Sequence, residues 1–299
     1  MGDRTAISWT DATWNPIRGC SRVSAGCQHC YAETVAARFS KPGQAYEGLT
    51  DKHGRWNGRI MLVPKHLADP LRWRKPRKIF VNSMSDVFHE NVDERMIRLI
   101  FSIMASATQH TFQVLTKRPA RMREIVSHFD WRFGISPMKL GGHPTLLMYH
   151  PMPPDSKDGT SCGRGWVPPN VWLGVSTEAE EAAHERIPFL LQTPAARRFV
   201  SAEPLLGPLD LEPYLYEWAD ERWTPSQGRG LDWVIIGGES GSGHRPMDVA
   251  WALDLAVQCA GAHVPLFVKQ DCGPKPGKQG RLPDELWARK EFPTAAVPA

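Results

Sequence analysis

No run of about 18 apolar residues occurs in the 299-residue chain, so no membrane-crossing helix is expected. Residues Met1 to Thr10 carry charges and lack an apolar core, so no export signal is expected, and a cytoplasmic location follows as the expectation. Six cysteines are too few for a disulfide framework at this length, which makes a reducing compartment the default. Neither sign of charge dominates. A formal net charge of +4 does not by itself argue for a partner that is a polyanion. No internal repeat or low-complexity tract appears. With 41% hydrophobic and 23% charged residues, the chain reads as a globular protein able to bury a large core.

What is present is a strand–helix rhythm. Short apolar runs at 6–14, 78–82, 111–115, 171–175, 198–201, 233–236 and 265–268 have strand character and end in polar residues or Gly. Continuous apolar runs suit strands covered on both faces, as in parallel sheets. Helical segments are expected at 28–39, 93–107, 119–128, 177–191, 247–260 and 284–290. The alternation predicts an α/β protein with a parallel sheet, one domain over 1–299. The stretch at about 130–170 is rich in Pro and Gly and reads as an irregular insertion long enough to form a lid; 213–230 is a second irregular patch, and 292–299 a short tail.

Two features stand out: clustered thiols and twelve tryptophans. Cys20, Cys27 and Cys30 follow the spacing Cys-x6-Cys-x2-Cys, whereas Cys162, Cys259 and Cys272 are scattered. Three thiolates so close in sequence can hold one metal centre at little loop-closure cost. Gly19 and Gly26 precede two of them and give the backbone room to wrap. Zinc would want a fourth ligand, for which Cys272 is the best candidate. An iron–sulfur cubane held by only three thiolates would keep one iron open to a small ligand. Three ordinary buried thiols are the bland alternative.

The strand ends form the second line of argument. In a barrel of parallel strands, chemistry gathers at the C-terminal ends. Here those ends read Asn82-Ser83-Met84-Ser85-Asp86, Thr116-Lys117-Arg118, Ser176-Thr177-Glu178, Ser201-Ala202-Glu203, Gly237-Gly238-Glu239 and Lys269-Gln270-Asp271. Each alone reads as a cap or turn. Together they predict one polar ring around a shared pocket. Glu203 and Glu239 are candidate acids for binding polar substrate groups or moving protons. Gly237-Gly238 allows close approach of a ligand to the backbone. Most tryptophans are expected in the core. Arg55-Trp56-Asn57-Gly58-Arg59 and Arg72-Trp73-Arg74-Lys75-Pro76-Arg77-Lys78 interleave basic and aromatic residues, as a nucleic-acid groove does, or as a solvated basic face does.

The run Asn15-Pro16-Ile17-Arg18-Gly19-Cys20, with Cys27-Gln28-His29-Cys30-Tyr31-Ala32, resembles the cluster motif of radical S-adenosylmethionine enzymes of the spore photoproduct lyase-like group. Ile17 stands where that motif has Tyr, and the six-residue spacer is longer than the usual three. From residue 5 to about 274 the chain also resembles the phage-associated three-Cys-motif family, which has no assigned function.

The resemblance implies a partial or irregular TIM-like (β/α) barrel of about six to seven parallel strands. It implies a 4Fe-4S cluster on Cys20, Cys27 and Cys30, with S-adenosylmethionine chelated at the open iron. One electron, from a donor such as flavodoxin or ferredoxin, then yields methionine and a 5′-deoxyadenosyl radical that abstracts hydrogen from substrate. It further implies that Ser83, Ser85 and Asp86 meet the amino group of S-adenosylmethionine. Lys117 and Arg118 would take its carboxylate or a substrate phosphate, and Ser176 and Glu178 the ribose hydroxyls. Cys272 or Cys162 would correspond to an extra reactive thiol. The expected substrate is DNA, RNA or a nucleobase, in repair or modification. Two other readings compete: a zinc- or cluster-stabilised nucleic-acid-binding protein without catalysis, and a metal-dependent TIM-barrel hydrolase using Asp86, Glu203 and Glu239.

Overall fold

The structure is a computed structural model, and it describes residues 5–128, 130–138, 146–151, 160–164, 168–216 and 230–294. Strand β1 (Ala12–Trp14) leads into an antiparallel ribbon, β2 (Ile17–Arg18) with β3 (Met61–Leu62), and helix α1 (Tyr31–Arg38) lies between these two strands in sequence. Helix α2 (Asp69–Arg72) precedes β4 (Lys78–Val81), followed by α3 (Glu94–Ser106), β5 (Thr111–Thr116) and α4 (Pro119–Ser127). Strands β6 (Asp130–Met138), β7 (Leu146–Pro151) and β8 (Thr160–Arg164) form a separate sheet in the order β7-β6-β8. The rhythm resumes with β9 (Val171–Ser176), α5 (Glu180–Gln192), β10 (Arg197–Ala202), α6 (Glu212–Leu215), β11 (Trp233–Gly237), α7 (Val249–Gly261), β12 (Leu266–Gln270) and α8 (Asp284–Trp287).

All seven expected strands pair in parallel, in the order β1-β4-β5-β9-β10-β11-β12, and the sheet curls into a half-barrel. The expected α/β class and partial TIM-like architecture are therefore present. Helices pack outside because their sequences give them one apolar side. Helix α3 buries Ile97, Ile100, Phe101, Ile103 and Met104, and Asp93 caps its start by accepting from the Arg95 N–H at 2.7 Å. Asp248 caps α7 likewise through Ala250.

Side chains alternate along each strand, so one set faces the helices and the other faces the concave interior. Val81, Val114, Leu173, Val200, Val234 and Val268 belong to the helix-side core. Phe80, Trp172, Phe199, Trp233 and Phe267 form an aromatic interior, closed over by Trp9 from the segment before β1. The tryptophan excess is thus largely packing: Trp14 and Trp233 are fully buried. Trp166, Trp218 and Trp223 lie outside the described residues, as does the side chain of Trp131.

The segment read as an irregular insertion differs from expectation in carrying three antiparallel strands. Its Pro and Gly content hides the period-two pattern that would have marked them. Strand β7 lies against α3. The short elements β2, β3, α2 and α6 were also beyond expectation, being too short to show a period.

Candidate active-site cleft

The interior aromatic layer gives way to polar residues one or two same-face steps further along four of the strands. Asn82 follows Phe80 by two positions, Ser176 follows Trp172 by four, Ser201 follows Phe199 by two, and Lys269 follows Phe267 by two. All four line one cleft, with about 1140 Å³ of empty space including its open mouth. Cys20, Cys27, Cys30, Ser83, Ser85, Asp86, Lys117, Glu203 and Glu239 line it as well. The polar ring expected at the strand ends is thus brought together around one cavity, and the thiols stand in its wall.

The thiols are held by contacts that start at Gly19. Its φ is +95°, and a Cβ there would sit 2.1 Å from the Arg59 carbonyl oxygen, so only glycine suits the turn into Cys20. Gly26 serves a different purpose from free wrapping. A Cβ there would come within 3.0 Å of the Glu178 carboxylate, which accepts the Gly26 N–H at 3.2 Å. Cys20 and Cys30 pack against a small cluster of Ala32, Ala36, Tyr46, Leu49, Trp56 and Met84. Burial first, then Asp86, pushes the Cys20 thiol up to about 12, against the pull of Arg118. Burial raises Cys30 too. Among the described residues, no three His, Cys, Asp or Glu side chains converge to hold a single metal ion.

The residues around the thiols are tightly committed. Asp86 accepts from Thr116 Oγ1 at 2.8 Å, the Lys117 N–H at 3.1 Å, the Phe88 N–H at 2.9 Å and Arg118 Nη1 at 3.2 Å. Arg118 also bonds Glu90 at 2.6 Å and Ser21 Oγ at 2.7 Å. The Asn91 N–H donates to His89 Nδ1, so His89 Nε2 carries the hydrogen and donates to Ser21 Oγ at 2.9 Å. This network fixes the residue after Cys20. Glu33, just after Cys30, accepts from Arg22 Nε at 2.9 Å and from the Trp56 N–H at 2.9 Å. It ties the spacer between the thiols to the cleft wall.

Other expected residues divide cleanly. Ser83 Oγ donates to Asn15, Ser85 Oγ donates to the Ile17 carbonyl, and Tyr31 donates to the Ser83 carbonyl at 2.6 Å. Lys117 Nζ donates to Ser176 Oγ at 2.9 Å and has no carboxylate within salt-bridge distance among the described residues. Glu203 pairs with Lys269. Glu178 is not a cleft-lining residue: it is buried against Arg186 at 2.8 Å, beneath the cysteine spacer. Cys272 does not line the cleft either. Its sulfur accepts from Arg281 at 3.1 Å and from the Met247 N–H at 3.3 Å. The Cys162 side chain lies outside the described residues. Cys259 is core, within α7.

Sequence reasoning passed over His29 and Arg245. His29 Nδ1 lies 2.8 Å from Glu239 Oε2, and Arg245 Nη2 lies 2.6 Å from Oε1. Burial would raise the Glu239 carboxyl, but Arg245 prevails and holds it at about 2. Because Glu239 is ionised, His29 Nδ1 is the donor. Glycine at 238 has a packing cause rather than a ligand: a Cβ there would meet the Cys272 backbone nitrogen at 2.2 Å. The basic run 72–78 leads into the N-terminal end of β4, at the opposite end of the sheet from the cleft, whereas Trp56 stands in the cleft wall.

Neither curated proteins nor solved structures return a match to the chain. Residues 4–286 match the family described as "Protein of unknown function (DUF5131)", and over that span the chain, with its thiol-walled cleft, belongs to this family.

Proposed function

We propose that the cleft is the active site of a radical S-adenosylmethionine enzyme, with Cys20, Cys27 and Cys30 as ligands of a 4Fe-4S cluster. The observation that carries this reading is the placement of three thiols in one cleft at the C-terminal mouth of a parallel half-barrel. The donor set fits. A cubane takes each of three thiolates on a different iron, so the sulfurs need not converge on one point as zinc would require. When bound, the cluster supplies the electron that cleaves S-adenosylmethionine and begins hydrogen abstraction.

The chain's own residues bind, orient and exclude water. Lys117 has no carboxylate partner among the described residues, and it suits a ligand carboxylate or phosphate. Ser83 and Ser176 line the same cleft, with their hydroxyls donating to Asn15 Oδ1 and to the Glu203 carbonyl. Asp86 acts through Arg118, holding Ser21 and thereby Cys20 in place. The apolar floor of Ile7, Trp9, Phe80 and Leu115 keeps bulk water from the interior. The hydrolase reading is less well supported, because Asp86, Glu203 and Glu239 each already face Arg118, Lys269 or Arg245.

The test is anaerobic. The reconstituted protein, given S-adenosylmethionine and dithionite, is expected to form 5′-deoxyadenosine, measured by chromatography. A protein with full iron content that forms none would end this reading.

A further inference from the structure

The Arg118 side chain stands in the cleft wall at 9% exposure, and its five N–H groups make five contacts. Nε donates to Glu90 at 2.6 Å. Nη2 donates to Ser21 Oγ at 2.7 Å and to the Ser21 carbonyl at 3.4 Å. Nη1 donates to Asp86 Oδ2 at 3.2 Å and to the Cys20 sulfur at 4.0 Å. No N–H of Arg118 is left for the carboxylate of a bound molecule, so the role that the family resemblance implies for it falls to Lys117.

The backbone fixes the guanidinium as well. The Arg118 N–H donates to Thr116 Oγ1 at 2.9 Å, and Thr116 Oγ1 donates in turn to Asp86 at 2.8 Å. A planar fork tied at this many points cannot swing away from the sulfur without breaking several bonds. The N–H to sulfur contact is long and weak as a hydrogen bond. A unit charge 4.0 Å from an atom nevertheless acts on it, whatever the strength of the bond.

We propose that Arg118 sets the reduction potential of the cluster by holding a positive charge against the Cys20 sulfur. The inference rests on reading Cys20 as a cluster ligand. Reduction by one electron, which dithionite supplies, adds one negative charge beside three thiolates, and no bond forms or breaks. A fixed cation next to one of those sulfurs favours the reduced form and so raises the potential. Charge and hydrogen bonds at the ligand sulfurs are among a protein's means of setting it. Asp86 acts in the opposite sense, because its carboxylate holds the same Nη1 and offsets part of the charge. Glu90 is 57% exposed, so water and salt screen it and it weighs less.

The test is a dye-mediated redox titration of the full-length chain, reconstituted anaerobically and read by EPR of the reduced cluster. Iron content and a thermal melt are checked for each variant. Arg118→Gln is expected to lower the ratio of reduced to oxidised cluster about tenfold at a fixed poise, a one-electron shift of about 59 mV. Asp86→Asn is expected to raise that ratio severalfold. Arg118→Lys keeps the charge but loses the fork, and is expected to stay within about threefold of wild type.

Arg118→Lys behaving like Arg118→Gln would make the hold on Ser21, not the charge, the cause, and would overturn the proposal. So would an unchanged or lowered potential in Asp86→Asn, the variant that decides the matter if Arg118→Gln does not fold. 5′-Deoxyadenosine formation with equal potentials in all variants would sink this inference alone. The opposed shifts without 5′-deoxyadenosine would support it and sink only the S-adenosylmethionine chemistry. A wild-type chain that takes up no iron would end both.

Discussion

His29 Nδ1 and Glu239 Oε2 lie 2.8 Å apart and join the cysteine-bearing loop to the end of β11, across 210 residues of chain. His29 sits between Cys27 and Cys30, so this contact locks one side of the thiol wall to the barrel. Glu178 locks the other side through Gly26.

The thiols divide into groups with different consequences. Cys20→Ala, Cys27→Ala and Cys30→Ala are each expected to lose most of their iron after anaerobic reconstitution. Cys259→Ala and Cys272→Ser are expected to keep it. Iron and sulfide analysis with EPR checks this. Iron loss in Cys272→Ser would instead mark it as a fourth ligand.

The Glu178–Arg186 pair is almost fully buried, with side-chain exposures of 5% and 3%. Glu178→Gln leaves Arg186 as an uncompensated buried charge, and is expected to cost about 3 kcal/mol in urea unfolding. Because Gln keeps one accepting oxygen for the Gly26 N–H, the same variant is expected to bind iron nearly as well as wild type despite its lower stability. Unfolding at the wild-type midpoint would show the pair to be dispensable.

Adjacent glycines are expected to respond oppositely to alanine. At Gly237 the nearest atom to an added Cβ is 3.4 Å away, an ordinary contact, whereas at Gly238 the Cys272 backbone stands at 2.2 Å. Gly237→Ala is expected to fold with a melting temperature near wild type. Gly238→Ala is expected to lose several kcal/mol, as forced overpacking does, or to fail to accumulate as folded protein. Similar melting of the two variants would contradict the close approach of β11 and β12 at their ends.

Acid is expected to destabilise the protein through Glu239 and Asp271. Burial alone would raise both carboxyls, but hydrogen bonds from Arg245 and Arg281 hold each at about 2. A carboxyl whose folded pKa lies below its unfolded value stabilises the fold above the unfolded value. That share is lost as pH falls from about 4.5 toward 2. The urea midpoint is therefore expected to drop through this window, with a shallower drop in Glu239→Gln. A midpoint that holds or rises with acid would refute the pairing.

Much of the architecture was legible in the chain. Buried parallel strands are nearly all apolar, and the runs beginning near Lys78, Thr111, Val171 and Trp233 announce themselves. The polar ring was legible too, because a strand that leaves the core must end in residues that tolerate water. The middle antiparallel sheet was not, since its Pro and Gly interrupt any period. Nor were the Asn82 amide and the Trp9 indole N–H, which find no partner among the described residues: an Asn after a strand reads as a turn residue, and a Trp near the N-terminus reads as core.

By itself, then, the sequence determined where the strands of the parallel sheet lie along the chain, their polar ends and the spacing of three thiols, because periodicity and local chelation are written in neighbouring residues. The tertiary structure decided which polar groups are already engaged. It gave Asp86 to Arg118, Glu178 to Arg186, Cys272 to Arg281 and Glu239 to His29 and Arg245. Among the described residues, it left the Asn82 amide and the Trp9 indole N–H without a hydrogen-bond partner. Such partners are set by how distant strands are brought side by side, a relation that no local pattern of residue types encodes.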